Sequence, residues 1–503
     1  MTRRIEQVTV VGADAPAWMA AAAVQRSLGG AGIRVRVIEL PTLLQPVDAY
    51  STLPELAGFH YRIGLEEGLL FSACKALPVA GQRFSNWSGA APPFIRGYDQ
   101  PVESGAGLGF TQFWIKGRQQ GLRTEFENFS VGAMAAKAGR VPIPTKDAEL
   151  RAGFGYHIDA RAYTALLKLF ATRGGVESKS AMVAGVETEG ERIAAVTLSD
   201  GERVEADLFI DASGAQAVLI GRMAGAEFDS WHEWLPCDRM LTASAKALSP
   251  FPGFSQISAF RQGWTGLFPL QDRTAVVAAY DSRQISDQGV LDSLSAFANL
   301  PVNGDAVVSG LTQGIRRRMW VGNCVAVGES AFSLEPLDAV QLHIVHQCIS
   351  QLMTLFPVEA GAFHEAELYD RIIRRAAINL RDFQAAHYKL NRRFDAPLWD
   401  GCRDAAVPET LQRKLDVFSA RGRVPLYDDE TFHEDGWESL LIGHGLMPQS
   451  YDPRVDAIPE QEHIAQMQLR LKDIVGLVEA MPVVDDFIGS AELQRQAEVI
   501  ALG

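Results

Sequence analysis

The chain has 503 residues, 47% hydrophobic and 21% charged, a balance that excludes a disordered, fibrous or low-complexity protein. Lys and Arg number 47 against 61 Asp and Glu, a net charge of −14. That disfavours a general attraction to nucleic acid or an anionic membrane but leaves room for a local phosphate pocket. At roughly 150 residues per domain, the length fits about three structural units or one large two-module enzyme.

The start of the chain carries a change of period. Ile5 to Val11 is β-rich, Gly12 to Pro16 reads as a turn, and Ala17 to Leu28 is an Ala-rich helical pattern. Ile33 to Ile38 then forms a second strand ending at Glu39, so the segment reads as a βαβ unit of dinucleotide-binding length. Glu6, Asp14 and Pro16 interrupt the apolar run, which argues against a signal peptide. Residues 90–150 are rich in Gly, Pro and aromatics and weakly periodic, and are expected to be irregular. A helix over Ala160 to Arg173 follows, then short strands closing on ADLFIDASG at Ala206 to Gly214. Strands surround Trp264 to Tyr280, and Asn323 onward reads as a buried strand, a turn and a long helix. From about residue 360 the chain reads as charged helices.

This order predicts an α/β fold with an FAD-type module: an N-terminal βαβ, a returning Asp-Gly strand and a late strand-turn-helix. Residues 1–90 and 150–355 are assigned to that discontinuous module. Residues 90–150 and 355–503 are assigned to a substrate-side, largely helical module. Cys74, Cys237, Cys324, Cys348 and Cys402 form no C-x-x-C pair, which argues against disulfides or a zinc cluster and favours a reducing cytoplasm. No run of about 18 uninterrupted apolar residues occurs, so no spanning helix is expected. His343 and His346 lie three apart on the late helix; with no carboxylate placed beside them, a satisfied helix face is favoured over a metal site.

In a G-x-G-x-x-G turn the glycines allow the tight bend, the approach of backbone to pyrophosphate and close helix–strand packing, with the anion at the helix N-terminus. Here those positions read Gly12, Asp14 and Ala17, with Ala13 between the first two. A carboxylate at position 14 faces the pyrophosphate, at about 1 kcal/mol or more per close like-charge contact. Glu39, 27 residues beyond Gly12, stands where a carboxylate accepts from ribose hydroxyls, near the expected spacing of about 20. The alternative keeps the βαβ unit as architecture and makes Asp14 a helix N-cap. Both readings stand open on these residues.

Several segments together resemble the flavin-dependent tryptophan halogenases over nearly the whole chain. They include AWMAA at Ala17 to Ala21, PTLLQPVDAYSTLP at Pro41 to Pro54, GQRFSNW at Gly81 to Trp87 and YHIDA at Tyr156 to Ala160. ADLFIDASG, LPCD at Leu235 to Asp238, NCVAVG at Asn323 to Gly328 and LEPLDAVQLH at Leu334 to His343 continue the series. RDFQAAHY and RFDAPLW between Arg381 and Trp399, and GHGLMPQSYDP at Gly443 to Pro453, complete it. The resemblance implies a Rossmann-like FAD/NAD(P)-binding module of the p-hydroxybenzoate-hydroxylase type. It further implies reduced FAD, oxygen and chloride or bromide, a separate flavin reductase, a small aromatic, indole-like substrate, and a homodimer. Flavin contacts are implied at Gly12, Ala13, Ala17, Glu39, Thr52, Gly328, Pro336 and Leu337. Hypohalous acid would reach a lysine through a tunnel, with a glutamate handling protons.

The chain departs from that pattern where the chemistry sits. The family lysine, two residues before the glycine of GQRFSNW, is Val79, which can neither form a chloramine nor donate a hydrogen bond. Lys75 is the nearest candidate to replace it, but Pro78 and strand-like text place it up to about 13 Å away in an extended chain. The family glutamate becomes Asp338, followed by Ala339 and Val340 in place of hydroxyl residues. The W-x-W-x-I-P motif reads Trp264, Gly266, Phe268 and Pro269, and the loop along the flavin reads Val47 to Thr52 with both glycines replaced. Tyr50 is expected to occupy flavin space. Phe432, Trp437 and Tyr451 fall in the region that shapes the family's substrate pocket, with core packing as the simpler role. Three functions therefore remain open: a flavoprotein with lysine-dependent halogenation lost or altered, an inactive binding or partner protein with little or no FAD, and a flavin monooxygenase.

Overall fold

The computed structural model describes residues 4–89, 91–99, 108–143, 151–394 and 396–490. Its nucleotide-side layer is a six-stranded sheet in the order Trp320–Val321, Cys324–Ala326, Leu208–Ala212, Gln7–Gly12, Arg34–Glu39, Glu177–Ser180. Every pairing is parallel except the one at the Trp320–Val321 edge. The central strand is buried along Val8 to Gly12, as expected of a parallel strand covered on both faces. Its helix, Asp14–Leu28, carries a run of alanines that packs it closely on the sheet, with Trp18 fully buried.

The register sets Gly12 opposite both Ala212 and Glu39, so the carboxyl ends of three strands meet at one line. Asp211 organises the turn beyond it: its carboxylate accepts from the backbone N–H of Ser213, Leu219 and Ile220 and from the Ser213 and Ser330 hydroxyls. The ADLFIDASG signal therefore marks a turn-forming acid as well as a strand.

A second, seven-stranded sheet runs Val307–Gly310, Arg239–Lys246, Arg273–Tyr280, Gly263–Pro269, Phe254–Phe260, Gly81–Ser85, Phe94–Gly97. It is antiparallel except where Phe254–Phe260 lies parallel to Gly81–Ser85. The edge strand Phe94–Gly97 and the helices Phe110–Gln119 and Val131–Lys137 fall within the stretch expected to be irregular. Gly- and aromatic-rich text concealed them; the helix Val131–Lys137 packs against the strand Phe94–Gly97 and against the helix Glu460–Ala480 at once, which blurs its period. The C-terminal region is helical as expected, with Ala366–Lys389 the longest helix at 24 residues. No helix among the described residues is long and apolar enough to cross a membrane.

Gly12 has no room for a side chain: a Cβ there would lie 2.3 Å from the Ala212 carbonyl oxygen. Gly12→Ala is expected to destabilise the protein by about 1–3 kcal/mol through overpacking, read as a lower urea midpoint with an unchanged slope.

Candidate functional site

At the nucleotide end, the structure overturns the capping role of Asp14. Ala13 holds the N-cap position and no side chain caps the helix. Asp14 is the first helical residue, with φ +58°, the left-handed region that favours glycine and that Asp tolerates better than most. Its carboxylate accepts from the Thr42 hydroxyl at 2.5 Å and the Leu43 N–H at 3.0 Å. It therefore bridges the start of the helix to the segment beyond the second strand. Pro16 removes one N–H from the first turn. Glu39 lies at the strand end as expected, but Lys168 Nζ donates to both its oxygens (3.0 and 2.7 Å) and Ser180 to one (2.8 Å). Burial alone would raise the Glu39 pKa; the Lys168 and Ser180 bonds override it and hold the acid below its ordinary range.

Ala13 and Ala17 are buried in the turn and helix. Thr52 is buried, and its hydroxyl accepts from the Tyr156 N–H at 2.9 Å while its own N–H pairs with the Tyr156 carbonyl. Tyr50 is buried edge-on to Tyr163, with centroids 6.4 Å apart. Burial pushes its phenol well above its ordinary pKa, and the carboxylates of Asp14, Glu329 and Asp48 push it further. Gly328 has φ +64°, with a Cβ position 3.0 Å from Val345.

The chemistry end is a buried polar knot. Val79, in the strand Leu77–Val79, is 1% exposed, whereas Lys75 is exposed at φ +53°. The two are not brought together. Lying directly across from Gln82 in the sheet, Arg96 donates from Nη2 to Gln82 Oε1 (2.5 Å) and to Asp338 Oδ1 (3.1 Å). Both charged side chains are almost wholly buried. Nothing in the motif reading pointed to Arg96; its only signal was a lone arginine inside the apolar text FIRG. The guanidinium also stands over the rings of Phe432 (4.7 Å) and Phe383 (5.2 Å), a desolvated cation–π arrangement.

Asp338 and Ala339 both have left-handed backbones, φ +60° and +62°, at about 1–3 kcal/mol each for non-glycine residues. Gln384 Nε2 fastens the same turn by donating to the carbonyls of Glu335 (3.1 Å) and Leu337 (2.9 Å), with Pro336 buried between them. His387 continues the network, its Nε2 3.3 Å from Asp338 and its Nδ1 2.8 Å from His444 Nε2. Burial, reinforced by His387 and Arg392, depresses the His444 pKa, so that ring is neutral at pH 7.

The remaining expected site residues pack around this knot. Trp264 is fully buried and donates to Glu335 Oε2 at 2.7 Å. Tyr388 and Gln313 donate to the same carboxyl, yet burial still raises its pKa to about 7. Phe268 folds over Gly266, where a Cβ would lie 2.8 Å from the ring, so Phe268 fills the space that the missing tryptophan leaves. The Pro269 carbonyl bonds to His157 at 3.0 Å. Trp437 is buried against Phe383 (4.8 Å) and beneath Lys414 (4.9 Å). His343 bonds to the Thr431 hydroxyl and His346 to Arg62. Among the described residues no group of three or more metal-ligating side chains occurs.

A chamber of about 1110 Å3 is lined by Phe110, Phe113, Phe126, Phe129 and Met467 together with charged side chains, among them Asp99, Arg470, Lys472 and Asp473. Asp435 and Glu438 line it from the helix Glu434–Gly443. Burial is the main cause of their raised pKa values, about 6 and about 8, against the 2.5 Å bond that Thr111 donates to Glu438.

With this geometry in view, the comparisons decide the family. The description "Tryptophan halogenase" matches residues 7–460. The chain belongs to the tryptophan halogenase family. It is 26% identical to tryptophan 7-halogenase KtzQ of Kutzneria sp. (strain 744), over 91% of this chain and 92% of that protein. It is 24% identical to tryptophan 7-halogenase RebH of Lentzea aerocolonigenes, over 97% and 99%. Its fold matches BrvH, a flavin-dependent halogenase from Brevundimonas sp. BAL3, at TM-score 0.91 and 30% identity, covering 97% of this chain and 99% of that one. Xcc4156, a flavin-dependent halogenase from Xanthomonas campestris, matches at TM-score 0.91 and 26% identity, covering 97% and 98%.

Membership implies an FAD-type flavin, an aromatic substrate, a halide and a separate reductase. Asp14 places a side-chain carboxylate at the start of the first helix, and Tyr50 is buried in the strand Ala49–Ser51.

Two outcomes follow from the knot and the chamber. Arg96→Met leaves Asp338 buried without its cation and is expected to destabilise by about 3–5 kcal/mol; adding Asp338→Asn is expected to recover part of that in chemical denaturation. Glu438 keeps its proton in the folded state up to about pH 8, whereas the unfolded chain releases it near 4.5. Its stabilising contribution is therefore complete below about pH 4.5 and lost as pH rises towards 8. The melting temperature of Glu438→Gln is accordingly expected to fall less than that of the wild type between those limits.

Proposed function

We propose that this protein is a member of the halogenase family that has lost lysine-dependent halogenation and acts by binding an aromatic molecule. The carrying observation is the exchange at the reaction centre: Val79 is buried without a polar atom, while the nearby cation, Arg96, is bound to Asp338 and Gln82. An arginine keeps its proton at any physiological pH, so it supplies no amine nucleophile. Asp338 is held as its counter-ion through Oδ1. The chamber of about 1110 Å3 supports the binding half of this reading: its phenylalanine walls suit an aromatic ring, and the charged side chains among them, Arg470 and Lys472 included, suit a molecule that also carries polar groups. Its carboxyls are poised to act as hydrogen-bond donors when protonated. The misfit at the phosphate turn and at Tyr50 supports weak or absent FAD binding.

The test combines the full-length protein with FAD, a flavin reductase, NADH, bromide or chloride and an indole, followed by mass spectrometry. No halogenated product above the protein-free control is expected, either from the wild type or from Val79→Lys, because the lysine alone does not free Asp338 from Arg96. Halogenation by the wild type would overturn the reading. Binding of indole-class ligands is expected to quench tryptophan fluorescence, and Phe113→Ala is expected to weaken it about tenfold.

A further inference from the structure

The chamber of about 1110 Å3 is built partly on the start of the helix Phe110–Gln119. Gly109 is the N-cap of that helix, and no side chain caps its first turn. The first N–H groups of a helix have no partner inside it and carry the positive end of its dipole. Beside that end stands Glu438, 9% exposed. Its carboxyl accepts from the Thr111 hydroxyl at 2.5 Å and makes no other hydrogen bond among the described residues. A Cβ on Gly109 would lie 4.0 Å from Glu438 Oε1, so the helix start and the carboxyl meet the same space. Burial raises the Glu438 pKa to about 8; near pH 7 the carboxyl is therefore uncharged and able to donate.

A second group converges on the same turn. Arg470, on the helix Glu460–Ala480, holds its guanidinium 4.1 Å from the Phe110 ring centre and donates from Nη2 to the Phe129 carbonyl at 3.3 Å. Its Nε is buried with no acceptor, and among the described residues no carboxylate pairs with it. Burial is the main penalty on this charge, and Asp99 offsets only part of it. The Asp99 oxygens are themselves taken by the Ser130 hydroxyl and the Gly132 N–H. Of the other acids at the chamber, Glu434 and Asp473 are exposed, where water and salt screen them, and Asp435 is half-buried. A buried cation short of acceptors, an uncapped helix start and an uncharged donor together favour an anion with paired oxygens. The Phe110 ring, 5.0 Å from Phe129 and 6.2 Å from Phe126, supplies an apolar bed for an attached ring.

We infer that this chamber takes an aromatic carboxylate, its acid group held between Arg470, the start of the helix Phe110–Gln119 and Glu438. The inference rests on the aromatic-binding function proposed above and names the chemical class of its ligand. It is tested by calorimetry on the full-length protein at pH 7 with indole-3-acetate, indole-3-acetamide and tryptamine as probes. The acid is expected to bind about tenfold more tightly than the amide, which keeps the ring and shape without the charge, and than the amine. Arg470→Gln is expected to remove that preference, lowering affinity for the acid about tenfold with the amide little changed. Arg470→Lys keeps the charge without the planar fork and is expected to retain a reduced preference. The wild-type comparison decides the matter by itself should either variant fail to fold. The inference is overturned, with the aromatic-binding reading left standing, if the amide or the amine binds as tightly as the acid, or if Arg470→Gln weakens acid and amide equally. If none of the three binds at millimolar concentration, the aromatic-binding reading fails and this inference with it.

Discussion

The contact between Arg96 and Asp338 organises the whole centre of this molecule. Four pieces of chain meet there: the edge strand that carries Arg96, the strained turn that carries Asp338, the long helix that carries His387, and the segment that carries Phe432. Burying two opposite charges removes their hydration, so such a pair adds little net stability, but losing either member leaves an uncompensated charge. Its effect is to dictate arrangement. With the guanidinium seated over Phe383 and Phe432 and bonded to Gln82, neither the strand nor the turn can shift independently. The two consecutive left-handed residues at 338 and 339 persist because the Arg96 and Gln384 contacts hold them from both sides.

The same exchange connects structure to chemistry. In the function proposed above, the position that the resemblance gives to a reactive amine is Val79, and the Asp338 carboxylate is paired with Arg96. Around them the space is filled by rings. Phe84 stacks on His387 at 4.6 Å, Phe383 on Phe432 at 3.9 Å, and Phe268 covers Gly266. At the far end of the cleft, Asp14 bridges the helix start to Thr42 and Leu43, and Tyr50 is buried edge-on to Tyr163.

Much of the fold was legible in the text of the chain. The period change over the first forty residues, the returning ADLFIDASG strand and the late strand-turn-helix each rest on local patterning, and each appears where expected. The valine at position 79, where the resemblance places a lysine, was also legible, because position 79 is tied to the nearby GQRFSNW segment by short-range spacing. Arg96 was not, since its partner lies 242 residues away and no local pattern distinguishes a paired buried arginine from a solvated one. The strand Phe94–Gly97 and the helix Val131–Lys137 were missed for a related reason: each packs against the other and against a further helix, which erases a clean period.

The role of Asp14 shows where that boundary falls. Its identity, and the conflict of a carboxylate with a phosphate turn, follow from residue order alone. Whether it caps its own helix or reaches another segment depends on where Thr42 and Leu43 lie, and only the packed sheet brings them within hydrogen-bonding distance. By itself the sequence determined the family and the order of the elements, because each depends on residue identity and short-range spacing. The tertiary structure alone decided which charges neutralise one another and which spaces stay open. Those depend on long-range contacts, where burial turns an ordinary side chain into a fixed partner.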